Sequence, residues 1–368
     1  MSGKRLQSLD ALRGFDMFWI MGLSGAVAGF CKLFPGGESC FLFKQMHHVA
    51  WEGLAFHDTI FPLFLFIAGA SFPFSYASQI AKGRSKLSIH LRIVKRLALL
   101  ILLGFVYNGF LMNGPENFRY ASVLGKIGVA WAIAALWYVN FGTKARFGIL
   151  FATLAGYWLL LRFTAPDAPA GCGPFSLEGC MPGYLDRLGF TPGRFYCGKW
   201  LEPSGIPVSA LGSSATALLG MFAGDLVRSA RGGFTPARKS AALALAGVAL
   251  AVVGVALVPT CPIVKNLWTP TFTLVCAGEA FLLFAAFHWL IDVKGFTKWS
   301  FPLQVVGANA IVAYMMQCLV DFREPSRFLF GALAGLCPSP DFIVMSGYTL
   351  ICWLILWHLY RKGTFLKV

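Results

Sequence analysis

The stretch from Thr271 to Ile291 reads TFTLVCAGEAFLLFAAFHWLI, with Glu279 as its one carboxylate. Wound as a helix at 1.5 Å per residue, it covers about 30 Å, the thickness of a bilayer's hydrocarbon core. Working outward, nine further apolar stretches recur at 12–31, 58–78, 93–112, 122–140, 147–164, 207–227, 240–258, 303–320 and 343–360. They predict an all-α, polytopic membrane helical bundle of about ten transmembrane helices. Composition agrees: 57% of the 368 residues are hydrophobic and 13% charged, where a soluble domain carries about 25% charged residues. Mean hydropathy is +0.67. Little chain is left for a soluble domain, so residues 1–368 are expected to form a single transmembrane domain.

The formal net charge of +15 is a topology signal, because Lys and Arg gather in cytoplasmic loops. With the N-terminus inside, Lys4, Arg5, Lys82, Arg84, Lys86, Arg92, Lys95 and Arg96 face the cytoplasm. So do Lys144, Arg146, Arg228, Arg231, Arg238, Lys239, Lys294, Lys298, Arg361, Lys362 and Lys367, making 19 of the 31 basic residues. No nucleic-acid partner is expected; membrane lipid is. Both termini are then cytoplasmic, and Cys31, Cys40, Cys172, Cys180, Cys197, Cys261 and Cys337 fall in or beside extracytoplasmic loops. Disulfides persist in oxidising compartments, and Cys31–Cys40 and Cys172–Cys180 are plausible local pairs. Ala26-Val27-Ala28 resembles a signal-peptide cleavage site, but Asp10, Arg13 and Asp16 interrupt the apolar segment before it, so the first helix is expected to stay.

The longer extracytoplasmic segments are expected near 32–57, 165–206 and 321–342. Segment 79–92 is expected to run as an interfacial stretch into the third helix.

Ionisable groups inside a bilayer are functional candidates by default. Asp10, Arg13 and Asp16 are spaced three apart and share one helical face. They either line a cytoplasmic entrance for a phosphate-bearing cofactor or form a helix-entry ion network. The segment HHVAWEGLAFHDTIFP at 47–62 ends by entering the second helix, which sets His48 and Asp58 near the outer boundary. A histidine with a carboxylate partner is a general base suited to neutral pH. A zinc site from Cys40, His47, His48 and His57 is the alternative, but the spacing matches no standard ligand pattern, and no metal is expected. Glu279 either binds a substrate ammonium or pairs with Lys126. Asn309 is either interhelical glue or a donor into a cavity. No phosphate loop, dinucleotide fingerprint or serine nucleophile elbow stands out.

Several motifs run in one order from end to end: SLDALRGFDM at 8–17, HVAWEGLAFHDTIFPLFLFIAG at 48–69, GYLDR at 183–187, KNLW at 265–268, DVKGF at 292–296, GANAIVAY at 307–314 and YRKGTFLKV at 360–368. On these the chain resembles bacterial members of the heparan-alpha-glucosaminide N-acetyltransferase family, within the transmembrane acyltransferase superfamily. The resemblance implies transfer of acetyl from cytoplasmic acetyl-CoA to the amine of glucosamine, or of a glucosamine-terminated saccharide, across the bacterial inner membrane. It puts the active-site histidine at His48, in a His-x-x-Trp arrangement with Trp51, at a mouth facing the periplasm. The family's aspartate falls at Asp58. Trp51, Glu52, Glu279, Asn309 and Lys126 are the candidate substrate contacts, and Arg13, Ser24, Arg92, Lys95 and Arg96 the candidate acetyl-CoA contacts. A homodimer is a further implication. The chain departs from the family pattern at Ser24, at Gly125-Lys126 and at Gln317, positions where the family carries an Asn, a Gln-Arg pair and a histidine. An O-acetyltransferase of envelope polysaccharide and an amino-sugar permease are the alternative functions.

Overall fold

The computed structural model describes residues 6–114, 121–189, 208–229 and 233–366. Lys4, Arg5, Cys197, Arg231, Lys367 and the 190–206 part of the second long segment lie outside the described residues.

The chain opens with α1 (Gln7–Phe18), one π-helical turn (Trp19–Leu23) and α2 (Ser24–Cys31), together one bent span. The short α3 (Phe41–Gln45) leads to α4 (Phe56–Ala81), α5 (Lys86–Tyr107) and α6 (Phe110–Asn113). Then come α7 (Val123–Asn140), α8 (Thr143–Leu161), α9 (Met181–Gly189), α10 (Ser209–Arg228), α11 (Pro236–Ala256) and α12 (Pro270–Phe287). A π turn (His288–Val293), α13 (Phe301–Ala308), α14 (Ala310–Leu319), α15 (Arg323–Leu336) and α16 (Pro340–Arg361) complete it. Among the described residues, eight spans are long and apolar enough to cross a bilayer, and α13 with α14 makes a ninth, bent by 61°. This is a polytopic helical membrane protein.

Two expectations are corrected in detail. The stretch expected at 93–112 lies in α5, whose first three turns carry Lys86, Arg92, Lys95 and Arg96, so its apolar part is only the C-terminal half. That helix stops at Tyr107, because Gly109 follows at φ +88°, a left-handed conformation that glycine adopts without steric cost. The span expected at 303–320 is broken at Asn309 (φ −127°, ψ 38°). Segment 321–342 holds α15, packed along α16 with Ser326 Oγ donating to the Val344 carbonyl at 2.6 Å.

The chain divides into two compact units. The first comprises residues 1–50, 55–60 and 283–368, the second 51–54 and 61–282. In the first, α1 packs on α13 and α2 on α16. Gly22, at φ +104°, sits where a Cβ would meet Tyr348 and Thr349 of α16 at 2.8 and 2.9 Å. At this irregular turn the Thr349 hydroxyl, 2.9 Å from the Met345 carbonyl of its own helix, also lies 3.2 Å from the Met21 carbonyl.

In the second unit, α7 packs against α5 and α10. Small residues bring α4 and α10 into backbone contact: a Cβ at Gly69 would lie 2.1 Å from the Ala217 carbonyl oxygen, and one at Gly220 would lie 2.1 Å from that of Phe66. Such approach is how helices gain packing energy where lipid offers no hydrophobic gain. Gly220→Val is therefore expected to destabilise by at least about 1–3 kcal/mol through overpacking. Thermal unfolding in detergent measures this, and an unchanged midpoint would refute the backbone contact.

The described cysteines are free thiols. Cys31 and Cys40 do meet, joined by a thiol–thiol hydrogen bond. Cys172 and Cys180 are engaged separately: Cys172 Sγ points to Glu178 Oε2 at 3.6 Å and Cys180 Sγ to the Leu177 carbonyl at 3.4 Å. Burial pushes the Cys180 thiol up to about 11, which leaves it protonated and unreactive at neutral pH.

Candidate functional site

The start of α4 builds the site. Gln45 Oε1 accepts the Phe56 N–H at 2.7 Å, fixing where the helix begins. Asp58, in the first turn, reaches back so that Oδ2 accepts the Ala55 N–H at 3.1 Å. This is the acidic half of a capping box, and the helix dipole favours the negative charge there. The same oxygen accepts the Val49 N–H at 3.3 Å, while Oδ1 meets His48 Nδ1 at 2.7 Å. Asp58 is wholly buried (0% exposed), whereas half of the His48 side chain is open (50%). The carboxylate is thus held by backbone and presents its other oxygen to the imidazole. His48 donates from Nδ1, which puts the neutral ring's lone pair on Nε2.

The neighbouring histidines differ. His47 bonds the Phe43 carbonyl through Nδ1 at 2.9 Å and lies against the Phe43 ring. His57 is drawn to His48 instead: their ring centroids are 4.5 Å apart. His57 Nδ1 lies 3.1 Å from Ser24 Oγ, and that hydroxyl also donates to the Trp19 carbonyl at 3.1 Å. Among the described residues, no three His, Cys, Asp or Glu side chains are grouped to hold a metal ion.

Within the first unit, then, the structure joins His48 and Asp58 and adds Ser24 and His57 to them. Ser24, expected to contact acetyl-CoA, is a hydrogen-bond partner of His57. Sequence reasoning weighed His57 only as one ligand of the alternative zinc site. Its signal was there in the His-Asp pair at 57–58 that opens α4, but its link to Ser24 spans 33 residues of chain. Arg13 pairs with Asp10 at 3.1 Å, and Asp16 is buried on the same helix. Asn309, 1% exposed, is committed to the C-terminal segment: its Nδ2 donates to the Thr364 carbonyl at 3.0 Å and its Oδ1 accepts the Leu366 N–H at 3.1 Å.

The remaining candidates belong to the second unit. Trp51 donates its indole N–H to the Phe175 carbonyl at 2.8 Å and packs on the cluster of Tyr157, Leu161, Cys180, Val264 and Leu267. Glu52 pairs by backbone with Val264 and exposes its side chain. Lys126, 7% exposed, holds its ammonium 4.4 Å above the Trp268 ring, a cation–π contact worth about 0.5–2 kcal/mol. Trp268 is itself held at φ +56°, a conformation rare for a bulky residue, with its indole N–H on Thr216 Oγ1 at 3.1 Å. KNLW thus ends in a fixed aromatic platform that spacing alone did not disclose. Glu279 is half-buried in α12, beside Gly278, whose Cβ would crowd Gly247 and Ala251 of α11. Arg92 and Lys95 are exposed on α5, and the Arg96 guanidinium stacks 4.1 Å over the Trp131 ring.

A multi-pass helical membrane protein with a His–Asp dyad where a span begins is the class that this geometry defines. Residues 5–114 match a family model described as a domain of unknown function (DUF5009). Over 99% of its length the chain is 26% identical to the human heparan-alpha-glucosaminide N-acetyltransferase, and over 100% it is 26% identical to the mouse protein of that name. It spans 60% and 61% of the length of these relatives.

Proposed function

We propose that this chain is a single-domain transmembrane N-acetyltransferase. It passes acetyl from cytoplasmic acetyl-CoA to the amine of glucosamine or a glucosamine-terminated saccharide on the opposite face. The observation that carries the reading is the His48–Asp58 dyad, an open imidazole backed by a buried carboxylate that three hydrogen bonds orient. End-to-end similarity to two proteins named as N-acetyltransferases supports the same chemistry.

Acyl transfer to an amine needs a deprotonated nucleophile and an aligned thioester. His48 Nε2 has the lone pair to act as base toward the amine or as carrier of the acetyl group. Asp58 fixes the tautomer and offsets the positive charge that the ring acquires. In the proposed topology both termini and the basic loops are cytoplasmic, so the anionic nucleotide of CoA lies on that side, near Arg92 and Lys95. His48 then faces the periplasm of a bacterial inner membrane. Lys126 and Glu279, charges within the second unit, are candidate substrate contacts.

The test is incubation of the purified full chain with acetyl-CoA and glucosamine, followed by mass analysis of the sugar. A gain of one acetyl on nitrogen is expected. Acetylation of hydroxyl-only sugars at an equal rate would replace this reading with O-acetyl transfer. Glucosamine flux into liposomes without acetyl-CoA would replace it with a permease.

A further inference from the structure

We infer that Cys31 and Cys40 form a redox-active pair. Cys40 exchanges with an external disulfide, and Cys31 resolves the product into a reversible Cys31–Cys40 bond that ties down the segment carrying His48. This chemistry needs no acyl donor or sugar and stands apart from the acetyltransferase reading.

Backbone geometry brings the two cysteines together. Cys31 ends α2, and the chain at once turns back on it. The Phe34 N–H donates to the Cys31 carbonyl at 3.2 Å, the Gly37 N–H to that of Phe34 at 3.0 Å, and the Cys40 N–H to that of Gly37 at 3.2 Å. Gly36 takes φ +71°, and a Cβ at Gly37 would overlap the Cys31 carbonyl oxygen. Glycine alone lets the backbone approach so closely. Lys32 Nζ, 3.7 Å from Glu38 Oε1, spans the same turn. The two sulfurs end within hydrogen-bonding reach of each other.

Their surroundings assign the roles. Cys31 is 4% exposed, whereas Cys40 is half-buried. Cys40 caps α3, its Sγ accepting the Phe43 N–H at 3.3 Å. That N–H, with the Cys31 thiol and the Lys44 charge behind it, holds the Cys40 thiol below its usual value. The thiolate is the attacking species in disulfide exchange, and access decides which thiol reacts first. Cys31 is shut off from an external reagent but touches Cys40, so its target is that neighbour.

The Cys40 thiolate attacks one sulfur of the external disulfide, forms a mixed disulfide and expels a first thiolate. Cys31 then gives up its proton and attacks the Cys40 sulfur, which expels a second thiolate. Two electrons pass from the cysteines to the external disulfide, and the two cysteine protons end on the two released thiols. In the proposed topology the pair lies on the extracytoplasmic side, where disulfides persist. The new bond acts on the segment beyond it through α3. That helix runs from Phe41 to Gln45, whose side chain holds the Phe56 N–H at 2.7 Å, and His48 follows three residues later.

The experiment treats the full chain in detergent with oxidised glutathione, alkylates the remaining thiols and maps peptides by mass. In the parent protein one disulfide joining residues 31 and 40 is expected, and dithiothreitol is expected to reopen it in the folded state. Cys31→Ser is expected to stop at one glutathione on Cys40. In Cys40→Ser, Cys31 is expected to react at least about tenfold more slowly than Cys40 does in Cys31→Ser. Tryptic cleavage after the exposed Lys44 is expected to slow about fivefold or more when the parent is oxidised, and to stay unchanged in Cys31→Ser.

Free alkylation of both thiols after oxidised glutathione would overturn the proposal, as would a bond from either to another cysteine. A bond that dithiothreitol opens only after unfolding would overturn it too, since that is a permanent brace. Faster capture of glutathione by Cys31 than by Cys40 would overturn the roles assigned. Unchanged cleavage after Lys44 on oxidation of the parent would overturn the tie to the His48 segment. Sugar acetylation enters none of these readouts, so failure here leaves the acetyltransferase reading intact.

Discussion

His48→Ala is expected to lower kcat/KM for acetyl transfer by at least about 10³-fold, the range for removing a residue that acts as base or nucleophile. The imidazole is half-open and hydrogen-bonded to Asp58. Its removal takes one partner from the buried Asp58 carboxylate and is expected to cost about 1–3 kcal/mol, seen as a lowered thermal midpoint in a protein that still folds. Acetyl-CoA affinity, measured by equilibrium binding, should stay within about threefold, because loss of a transition-state contact spares ground-state binding. Retention of full activity in a folded variant would remove His48 from the chemistry and, with it, the proposed function.

Asp58→Asn carries the second large effect, a fall in kcat of about 10²–10⁴-fold, by analogy with triads in which an amide replaces the orienting carboxylate. The carboxylate accepts from His48 Nδ1, Val49 N–H and Ala55 N–H at once. An amide has one acceptor oxygen and an NH2 group, so one of these contacts must fail. If the NH2 turns to His48, the ring takes the other tautomer and Nε2 loses its lone pair. If it turns to the backbone, it meets two N–H donors inside a buried site, where a lost hydrogen bond costs about 1–3 kcal/mol. A steady-state assay paired with a thermal scan separates these: the first outcome lowers kcat at constant midpoint, the second lowers both. Activity within about twofold of the parent would show that the carboxylate does not orient the base.

Much of the fold follows from features that act locally. A bilayer forces backbone polar groups to be satisfied within each segment, so an apolar run such as 271–291 has only one way to cross. Its outline was legible for that reason. Exceptions arose where tertiary contacts override a local preference. The break at Asn309 depends on a partnership with Thr364 and Leu366, 55 and 57 residues away, and no hydropathy window contains it. The helix α15, too short to span, is held by α16 through contacts such as Ser326 with Val344.

The site divides in the same way. His48 with Asp58 was legible because both lie on one short segment that ends by entering a helix, where a first-turn carboxylate is favoured. Ser24 was visible as a polar residue in an apolar helix, but its target was not, since a side chain's partner depends on which helix packs beside it. Lys126 over Trp268 is hidden likewise, because the two are brought together across 142 positions of chain.

By itself, then, the sequence determined that this is a many-span helical membrane protein and that a histidine with a carboxylate stands where the second span begins. Periodicity, length and charge are properties of contiguous chain, and the bilayer reads them directly. Only the tertiary structure decided that His57 turns to Ser24 and His47 to the Phe43 carbonyl. Hydrogen-bond partners and tautomers are fixed by atoms that folding brings within 3 Å or so, not by their order along the chain.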